Sequence, residues 1–329
     1  MIKNYINIYD FYKVFEIICR NPQKFMNIIS RLPLSKMMKV KATWSSAQED
    51  KSNWWDVPAV MKRWNYLITG DEQVDYCDYI AGKYLIDKKS LRGLSLGCGG
   101  GGRELRWAQT NKFARIDAYD ISDARIQQAI AMSENHGFSE IINYKVKDAF
   151  QIEAEENSYD VIFGEGALHH FSPLETIMRR AFKFLKPGGC FIVNEFVGPS
   201  RFQWTDRQLM IANSLLDIFP ERYKLLYKSK YVKKYIRKPS ILSMVMQDPS
   251  EAIESSKIIP LMYDIFDVQE VRGYGGNILH LLFCGISHHF ISPDEIAQRL
   301  LSICFEVEDL MLACGDINDD FVVAVCTKS

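Results

Sequence analysis

Short apolar segments alternate with amphipathic segments from Leu91 onward, and this alternation restricts the possible folds more than any other feature. The candidate strands are LRGLSLG, ARIDAYD, IINYKVKD, YDVIFGE and GCFIVNEF. Between them we predict helices near 104–109, from Ser122 onward and over 173–185. Strands and helices in strict alternation form a parallel sheet with helices on both faces, so we predict an α/β fold.

The chain on either side of this core carries a different pattern, which divides it into four predicted segments. Residues 1–69 form an amphipathic helical extension, and residues 70–198 form the sheet core. Residues 199–260 form a helical insertion, and residues 261–329 return to the sheet through FDVQEVRGY and FVVAVCTK, with two apolar helical stretches between them. We interpret the extension and the insertion as a lid over one α/β domain, in which the insertion covers the substrate.

Charge and hydropathy exclude several classes of protein. The chain has 40 basic and 41 acidic residues, so it has no large positive net charge that would attract nucleic acid. Hydrophobic residues make up 47% of it, as is typical of a globular protein. It has no apolar run of the roughly 18 residues that a membrane span needs, and no pattern of a cleaved leader. We therefore expect a cytoplasmic protein. The predicted lid favours a small molecule over a protein or a nucleic-acid duplex as the ligand that it covers.

Two segments are nevertheless basic. Residues 1–43 hold eight Lys and Arg against two acidic residues, and residues 222–238 hold eight with no acid. The second segment interleaves Tyr with Lys and Arg, which suits phosphates, RNA or an anionic membrane. A run of this kind is usually a solvated helix face, and we favour that interpretation. The amphipathic extension offers a surface for a second subunit, so a homodimer is compatible with it.

A glycine-rich turn follows the first candidate strand. Gly97, Gly99 and Gly102 satisfy the pattern G-x-G-x-x-G, which lets a ligand approach the backbone at the amino terminus of a helix. Asp120 ends the next strand, where a carboxylate can accept both hydroxyls of a ribose. Two further strands also end in a carboxylate, at Asp148 and Glu165. A ligand-free turn and simple helix caps explain each feature alone, but their joint placement predicts a nucleoside-containing cofactor.

The order GCGGG, AYDIS, KDAF, EGALHHF and FLKPGG resembles the class I S-adenosylmethionine-dependent methyltransferases, of the bacterial type that acts on small molecules and natural products. The resemblance implies a Rossmann-like sheet of seven strands whose last strand, at 321–327, runs antiparallel. It also implies S-adenosylmethionine as the cofactor. It assigns the methionine part of the cofactor to Gly97, Cys98, Gly99 and Gly101, and the ribose to Asp120. It assigns the adenine to Ile121, Asp148 and Ala149, and the sulfonium region to Glu165.

Two further features bear on the cofactor. Ser95 stands where this family often has an acid, two positions before the first glycine, so the strand lacks a usual partner for the methionine ammonium group. Trp54, Trp55 and Arg63 precede the first strand, where such enzymes often place a covering helix. We expect these residues to clamp the cofactor, with Arg63 on its carboxylate. A core aromatic cluster with a surface arginine is the open alternative.

His169 and His170 follow the fourth candidate strand, beside the expected position of the methyl group. A histidine near its ordinary pKa can take a hydroxyl proton at neutral pH. In plant-type small-molecule O-methyltransferases, which have a similar stretch, a histidine at the place of His169 is the general base. Glu195 ends the fifth strand and either orients the acceptor or caps the following segment. We therefore predict His169 and Glu195 as the catalytic residues.

The acceptor is expected to lie against the loops at the same sheet edge. Five residues are predicted to bind it: His170, Arg201, Gln203, Trp204 and His280. For His170 and His280 a purely structural role, in backbone bonds or in the core, is the favoured alternative. The histidines at 280, 288 and 289 have poor spacing for a metal triad, and we expect no metal.

These observations favour methyl transfer to a hydroxyl of a natural product, a sugar or a related metabolite, by in-line displacement. N-methylation or C-methylation on the same scaffold is the nearest alternative, because positioning alone suffices there. A nicotinamide-dependent oxidoreductase shares the glycine turn and Asp120, but the chain has no Tyr-x-x-x-Lys dyad. A nucleic-acid-binding module without catalysis is the third alternative.

Overall fold

A computed structural model describes residues 38–40 and 53–329 of the chain. Most of the predicted amino-terminal extension, including nearly all of its basic stretch, lies outside the described residues. Within the described part, no helix combines the length and the apolar character that crossing a bilayer requires.

Seven strands form one sheet in the order β3-β2-β1-β4-β5-β7-β6. Strands β1 to β5 pair in parallel, and β7 runs antiparallel to both of its neighbours, β5 and β6. The strand bounds are β1 Leu91–Leu96, β2 Phe113–Asp120, β3 Ile142–Val146, β4 Tyr159–Glu165, β5 Leu185–Phe196, β6 Asp267–Gly273 and β7 Phe321–Thr327. The predicted seven-stranded α/β sheet with an antiparallel last strand is confirmed.

Ten helices of at least five residues occur within residues 53–329. Their bounds are α1 Pro58–Thr69, α2 Tyr76–Tyr84, α3 Gly102–Gln109, α4 Asp123–Asn135, α5 Leu174–Phe184, α6 Asp206–Ile218, α7 Ile241–Gln247, α8 Ile258–Ile265, α9 Leu279–Phe283 and α10 Glu295–Ala313. Helices α6 to α8 lie between β5 and β6, and α9 and α10 lie between β6 and β7. Short 3-10 turns cover Leu168–His170 and Ser200–Phe202.

The alternating side chains of the central strands explain why helices cover both faces of the sheet. On one face, side chains of β1, β4 and β5 pack with helices α5 and α8, with Ile162 and Phe191 fully buried. On the other face, Trp107 of α3 stacks on Phe163 of β4, with the ring centroids 5.0 Å apart. A third buried cluster joins α6, α9 and α10 to residues 54–60. Because the strands are parallel, their carboxyl ends meet at one edge, and the candidate site lies there.

The basic segment 222–238 does not form the predicted helix. After a short 3-10 turn at Glu221–Lys224, the chain is irregular, with a single antiparallel bridge between Leu225 and Val232. Its backbone is bonded to the lid instead, since the amide of Ile236 donates to Oδ1 of Asn213 at 2.8 Å. The segment is also only partly solvated, because Lys233 is half-buried.

Candidate active site

The glycine loop connects β1 to α3 through a backbone that only glycine adopts easily. Gly97, Gly99 and Gly101 have φ angles of 79°, 53° and 84°, in the left-handed region. A Cβ atom added at Gly97 would lie 2.6 Å from Cβ of Ala167, whereas one added at Gly99 would meet no atom within 4 Å. At Gly97 the loop therefore packs against the segment that follows β4. At Gly99 it leaves open space in which a ligand can approach the backbone.

Asp120 fastens this loop to the end of β2. Its Oδ2 accepts a hydrogen bond from the amide of Gly99 at 3.0 Å, and its Oδ1 accepts one from the amide of Ser122 at 2.8 Å. At the end of β3, Asp148 accepts a bond from the amide of Phe150 at 2.9 Å and so also caps a turn. The carboxylates predicted for the ribose and the adenine edge thus lie at neighbouring strand ends, and both also order the loops that carry them.

The acid that the strand lacks at Ser95 is supplied by the helix that follows the loop. Oγ of Ser95 donates to Oε1 of Glu104 at 2.5 Å, and Glu104 is almost fully buried. Burial raises the pKa of Glu104, and its Oε2 has no hydrogen-bond partner among the described residues. A buried carboxylate therefore lies beside the glycine loop after all, one turn into α3.

Glu165, at the end of β4, is a second buried carboxylate with an unused oxygen. Its Oε2 accepts a hydrogen bond from Nε1 of Trp107 at 2.9 Å, while Oε1 has no partner among the described residues. Burial raises the pKa of Glu165 to about 7, against the opposing charge of Arg103. Arg103 is exposed, and a Cβ added at Gly166 would lie 2.6 Å from its Nη2. A buried acid with one oxygen left without a hydrogen bond, at the carboxyl edge of the sheet, suits the cationic end of a cofactor.

His169 and Glu195 form a tightly bonded pair at the ends of β4 and β5. Nδ1 of His169 lies 2.5 Å from Oε2 of Glu195, whose Oε1 accepts from the amides of Ala167 and Leu168 at 2.5 and 2.6 Å. Burial opposes protonation of His169, but the Glu195 carboxylate outweighs it and raises the pKa of the imidazole. Glu195 is fully buried and engaged by several donors, so it positions His169 and does not reach an acceptor itself.

The other nitrogen of His169 faces the insertion. Its Nε2 lies 3.7 Å from Oε1 of Glu251. The ring of His170 lies beside that of His169, with centroids 4.1 Å apart, and its Nδ1 is 3.3 Å from Oγ of Ser250. Burial and the neighbouring His169 lower the pKa of His170. His170 therefore belongs to the same cluster as the predicted base.

The structure does not bring Trp55 or Arg63 to the glycine loop. Arg63 is held by Glu308 at 3.0 Å and Asp309 at 2.5 Å, two residues of α10 that sequence proximity does not reveal. Trp54 is buried against Trp64, while the side chain of Trp55 is 46% exposed. The predicted clamp on the cofactor is therefore wrong for Arg63, and the core aromatic cluster is the arrangement found for Trp54.

The residues predicted to bind the acceptor in the insertion have other partners. The guanidinium of Arg201 donates to the carbonyl oxygens of Glu251 at 3.0 Å and Pro249 at 2.8 Å. Nε2 of Gln203 donates to the carbonyl oxygens of Arg201 and Pro239, both at 2.9 Å. Both side chains thus tie the insertion together, which corrects their predicted contact with the acceptor.

Trp204 and His280 belong to an aromatic cluster next to the His169 pair. The rings of Trp204 and Phe202 are stacked with centroids 5.0 Å apart, and the ring of His280 lies 5.8 Å from Phe202. Phe196 connects this cluster to the His169–Glu195 pair, since its ring lies 5.0 Å from Phe202 and 6.4 Å from His169. Burial lowers the pKa of His280 to about 4, so this ring is neutral near pH 7.

Three residues at the site were not predicted from the sequence. Glu104 and Arg103 lie in the first turn of α3, directly after the glycine loop. Glu104 could have been predicted, because the missing acid at Ser95 calls for another carboxylate near the loop. Glu251 carries no local signal, because it reaches His169 only through the folding of the insertion.

Comparison with known proteins agrees with this geometry. The sequence model of a family described as "Methyltransferase domain" matches residues 87–255, just over half of the chain. Among curated proteins, the chain is similar to a sterol 24-C-methyltransferase of Yarrowia lipolytica, with 29% identity over 149 residues, covering 44% of this chain and 39% of that one. It is also similar to phosphoethanolamine N-methyltransferase 1 of Triticum aestivum, with 29% identity over 128 residues, covering 39% of this chain and 24% of that one.

The chain thus matches well under half the length of these curated relatives. A solved structure of geranyl diphosphate methyltransferase, in complex with GPP and sinefungin, shares the fold with a TM-score of 0.54 and 10% identity. That alignment covers 89% of this chain and 99% of the other. The fold and the glycine loop with its acidic strand ends agree with the family match, which covers just over half of the sequence: the chain belongs to the methyltransferase-domain family.

Proposed function

We propose that this enzyme methylates a hydroxyl oxygen of a small-molecule acceptor, a natural product, a sugar or a related metabolite, and that His169 is the general base. The observation that carries the proposal is the hydrogen bond between His169 and Glu195 at the edge where Glu165 and the glycine loop also lie. A base at this place is needed only when the acceptor atom bears a proton.

The residues at the loop fit the cofactor. When bound, S-adenosylmethionine supplies an electrophilic methyl group on a sulfonium sulfur. The open space above Gly99 admits it to the backbone, and Asp120 lies at the strand end where a ribose is held. The unpaired Oε1 of Glu165 accepts the cationic methionine end, and Glu104 adds a second carboxylate beside the loop. None of these cofactor contacts uses His169 or His170, so both histidines are available to face the acceptor.

Glu195 determines which nitrogen of His169 can act. The carboxylate accepts the Nδ1–H bond, so the neutral ring carries its lone pair on Nε2, which faces the insertion. As the new oxygen–carbon bond forms, Nε2 takes the hydroxyl proton. Glu195 remains ionised and stabilises the imidazolium that results.

The insertion closes the acceptor side. The amide of Ile253 donates to the carbonyl oxygen of His169 at 3.0 Å, and Arg201 holds two carbonyl groups of the adjoining loop. This loop therefore lies directly over the base and limits access of water. Excluding water and aligning the acceptor are the main tasks of an enzyme whose leaving group is neutral.

The proposal is tested by the chemistry of the product. The full chain is incubated with S-adenosylmethionine carrying a tritiated methyl group and with a panel of sugars, phenols, amines, phosphoethanolamine, a sterol and geranyl diphosphate. Hot hydriodic acid releases volatile labelled methyl iodide from a methyl ether but not from a new carbon–carbon bond. Label in hydroxylated acceptors that is released by this treatment supports the proposal, and label confined to amines or to acid-stable products refutes O-methylation.

C-methylation of an alkene is the second candidate, and the aromatic cluster favours it. Adding a methyl group to an alkene generates a carbocation, and the ring of Phe196, which lies 6.4 Å from the ring of His169 and 5.0 Å from that of Phe202, would stabilise such a charge. Nε2 of His169 would then remove a proton from carbon. The names of the sterol and geranyl diphosphate relatives are compatible with this chemistry. Acid-stable label in the sterol or in geranyl diphosphate would establish it.

A further inference from the structure

Three potential metal ligands converge where the insertion meets the end of β4. Within residues 38–40 and 53–329, the ligand atoms of His169, His170 and Glu251 lie within 4.8 Å of one another. Nε2 of His169 lies 3.7 Å from Oε1 of Glu251. Ligand atoms on a tetrahedral zinc ion are about 3.3 Å apart, given zinc–nitrogen distances of about 2.0–2.1 Å.

Both imidazoles are oriented by oxygen acceptors behind them. Glu195 holds Nδ1 of His169 at 2.5 Å. The hydroxyl of Ser250 donates to Oδ1 of Asp248 at 2.6 Å, so its oxygen is available to accept from Nδ1–H of His170 at 3.3 Å. With Nδ1 as the donor on both rings, the lone pairs lie on both Nε2 atoms. Outer carboxylate and hydroxyl partners of this kind orient histidine ligands in metal sites.

The backbone that presents Glu251 is also fixed. Arg201 donates to the carbonyl oxygens of Pro249 and Glu251, and its own amide donates to the carbonyl oxygen of Ala252 at 2.6 Å. The amide of Ile253 bonds to the carbonyl oxygen of His169 at 3.0 Å, which joins the two ligand-bearing segments. Glu251 is therefore held beside the two histidines by four backbone-directed hydrogen bonds.

We propose that His169, His170 and Glu251 form a binding site for a divalent transition-metal ion of the zinc class. Two neutral imidazoles and one carboxylate match the preferences of zinc, copper and nickel, whereas magnesium and calcium prefer oxygen ligands. The metal occupies the lone pair that the proposed base uses, so its binding inhibits methyl transfer. The inference goes beyond the proposed function and replaces the expectation of no metal, which considered only the histidines at 280, 288 and 289.

The test uses the untagged full chain, freed of metal by chelation, without cofactor or acceptor. Cobalt(II) is titrated in, and binding is followed by its visible absorption and by calorimetry, with zinc(II) as a competitor. We expect one ion per chain and an intense absorption typical of four-coordinate cobalt. Glu251→Gln and His170→Asn should each weaken binding at least about 100-fold, and Ser250→Ala by about 10–100-fold, as outer partners do.

The chain offers a matched control in its second pair of adjacent histidines. The rings of His288 and His289 are 3.8 Å apart, and no carboxylate completes a triad with them in the described part of the chain. Changing both to Asn should leave the cobalt titration unchanged. The proposal is overturned if no stoichiometric ion binds, if Glu251→Gln binds as the natural sequence does, or if the control abolishes binding. Because the titration needs no substrate, its outcome is independent of whether the acceptor is a hydroxyl.

Discussion

The cofactor side and the acceptor side of this site are built in different ways. On the cofactor side, Gly97 and Gly99 follow β1 and Asp120 ends the neighbouring strand β2, where its carboxylate accepts from the amide of Gly99. On the acceptor side, the decisive contacts join His169 to Glu195 and to Glu251, residues from three separate segments. The first side depends on local backbone geometry, whereas the second depends on how a long insertion folds back over the sheet.

This difference explains why the two sides should respond differently to substitution. Changes at His169 or Glu195 should alter the chemistry and leave the cofactor bound. Changes in the glycine loop should weaken the cofactor first. The sides approach each other at Gly97, where an added Cβ would lie 2.6 Å from Cβ of Ala167, so a substitution there is expected to affect both sides.

The largest effect is expected from His169→Gln. Loss of a general base lowers kcat by about 10²–10⁴-fold, while the dissociation constant of adenosylhomocysteine should change by less than about threefold. Single-turnover assays and calorimetry give the two numbers. His136→Gln, an exposed histidine that caps α4, should change neither. A loss in kcat of only a few-fold would contradict the role of His169 as base and would favour N-methylation by positioning alone.

Glu195→Gln should have a smaller effect of the same kind. The amide cannot accept from Nδ1 of His169 and from the amides of Ala167 and Leu168 as a carboxylate does. We expect kcat to fall about 10–100-fold with the cofactor affinity retained, because the base is misoriented but present. An equal loss of cofactor affinity would show that the two sides are not separable.

Gly97→Ala examines the contact between the sides. At a φ of 79°, the new Cβ would lie 2.6 Å from Cβ of Ala167, whose amide is bonded to Glu195. We expect the free energy of unfolding to fall by about 1–3 kcal/mol and both cofactor affinity and kcat to drop. Gly99→Ala has a positive φ but meets no protein atom within 4 Å, so it should lower the free energy of unfolding by only about 1–2 kcal/mol. Its Cβ would enter the space left for the cofactor, so it should weaken cofactor affinity and spare kcat at saturating cofactor. Equal losses in kcat for the two variants would contradict the coupling.

The same division separates the residues that the sequence could predict from those that it could not. Asp120 and Glu165 were predicted correctly as the last residues of their strands, whereas β3 ends at Val146, two residues before Asp148. The carboxyl ends of parallel strands meet at one edge whatever the loops do. Arg63 was assigned wrongly, since its partner Glu308 lies in a helix near the end of the chain. Glu251 was missed for the same reason.

The basic segment teaches the same lesson about local patterns. Its composition favoured a solvated helix, but the contact of Ile236 with Asn213 of α6 gives its backbone a tertiary partner. The resulting irregular chain places neighbouring lysines in different surroundings. Charge counts along a sequence cannot reveal this, because the partners come from other helices.

Glu165 allows a measurement on the cofactor side alone. Its pKa of about 7 in the folded protein, raised by burial, means that it binds a proton below pH 7 when the cofactor is absent. The positive sulfonium of S-adenosylmethionine would favour the carboxylate form, so binding should release this proton. Affinity for S-adenosylmethionine, measured without an acceptor, should therefore rise with pH up to about 7, by at most about tenfold per unit, and be flat above. Calorimetry in buffers of different ionisation enthalpy counts the proton, and Glu165→Gln should abolish both effects. An unchanged pH slope in that variant would contradict the assignment.

The smallest effect is expected in the predicted lid on the acceptor side. There, substitutions of two adjacent lysines, Lys233 and Lys234, should change the free energy of unfolding by different amounts. Nζ of Lys233 donates to the carbonyl oxygens of Leu281, Leu282 and Cys284 at 2.7–3.0 Å and so caps the end of α9. Lys234 is exposed. Lys233→Met leaves three carbonyl groups without their donor and should lower the free energy of unfolding by about 1–3 kcal/mol in denaturant titrations. Lys234→Met removes the same charge and should stay within about 0.5 kcal/mol. Equal effects would mean that the segment acts through its net charge, as a nucleic-acid or membrane surface does, and not as part of the lid.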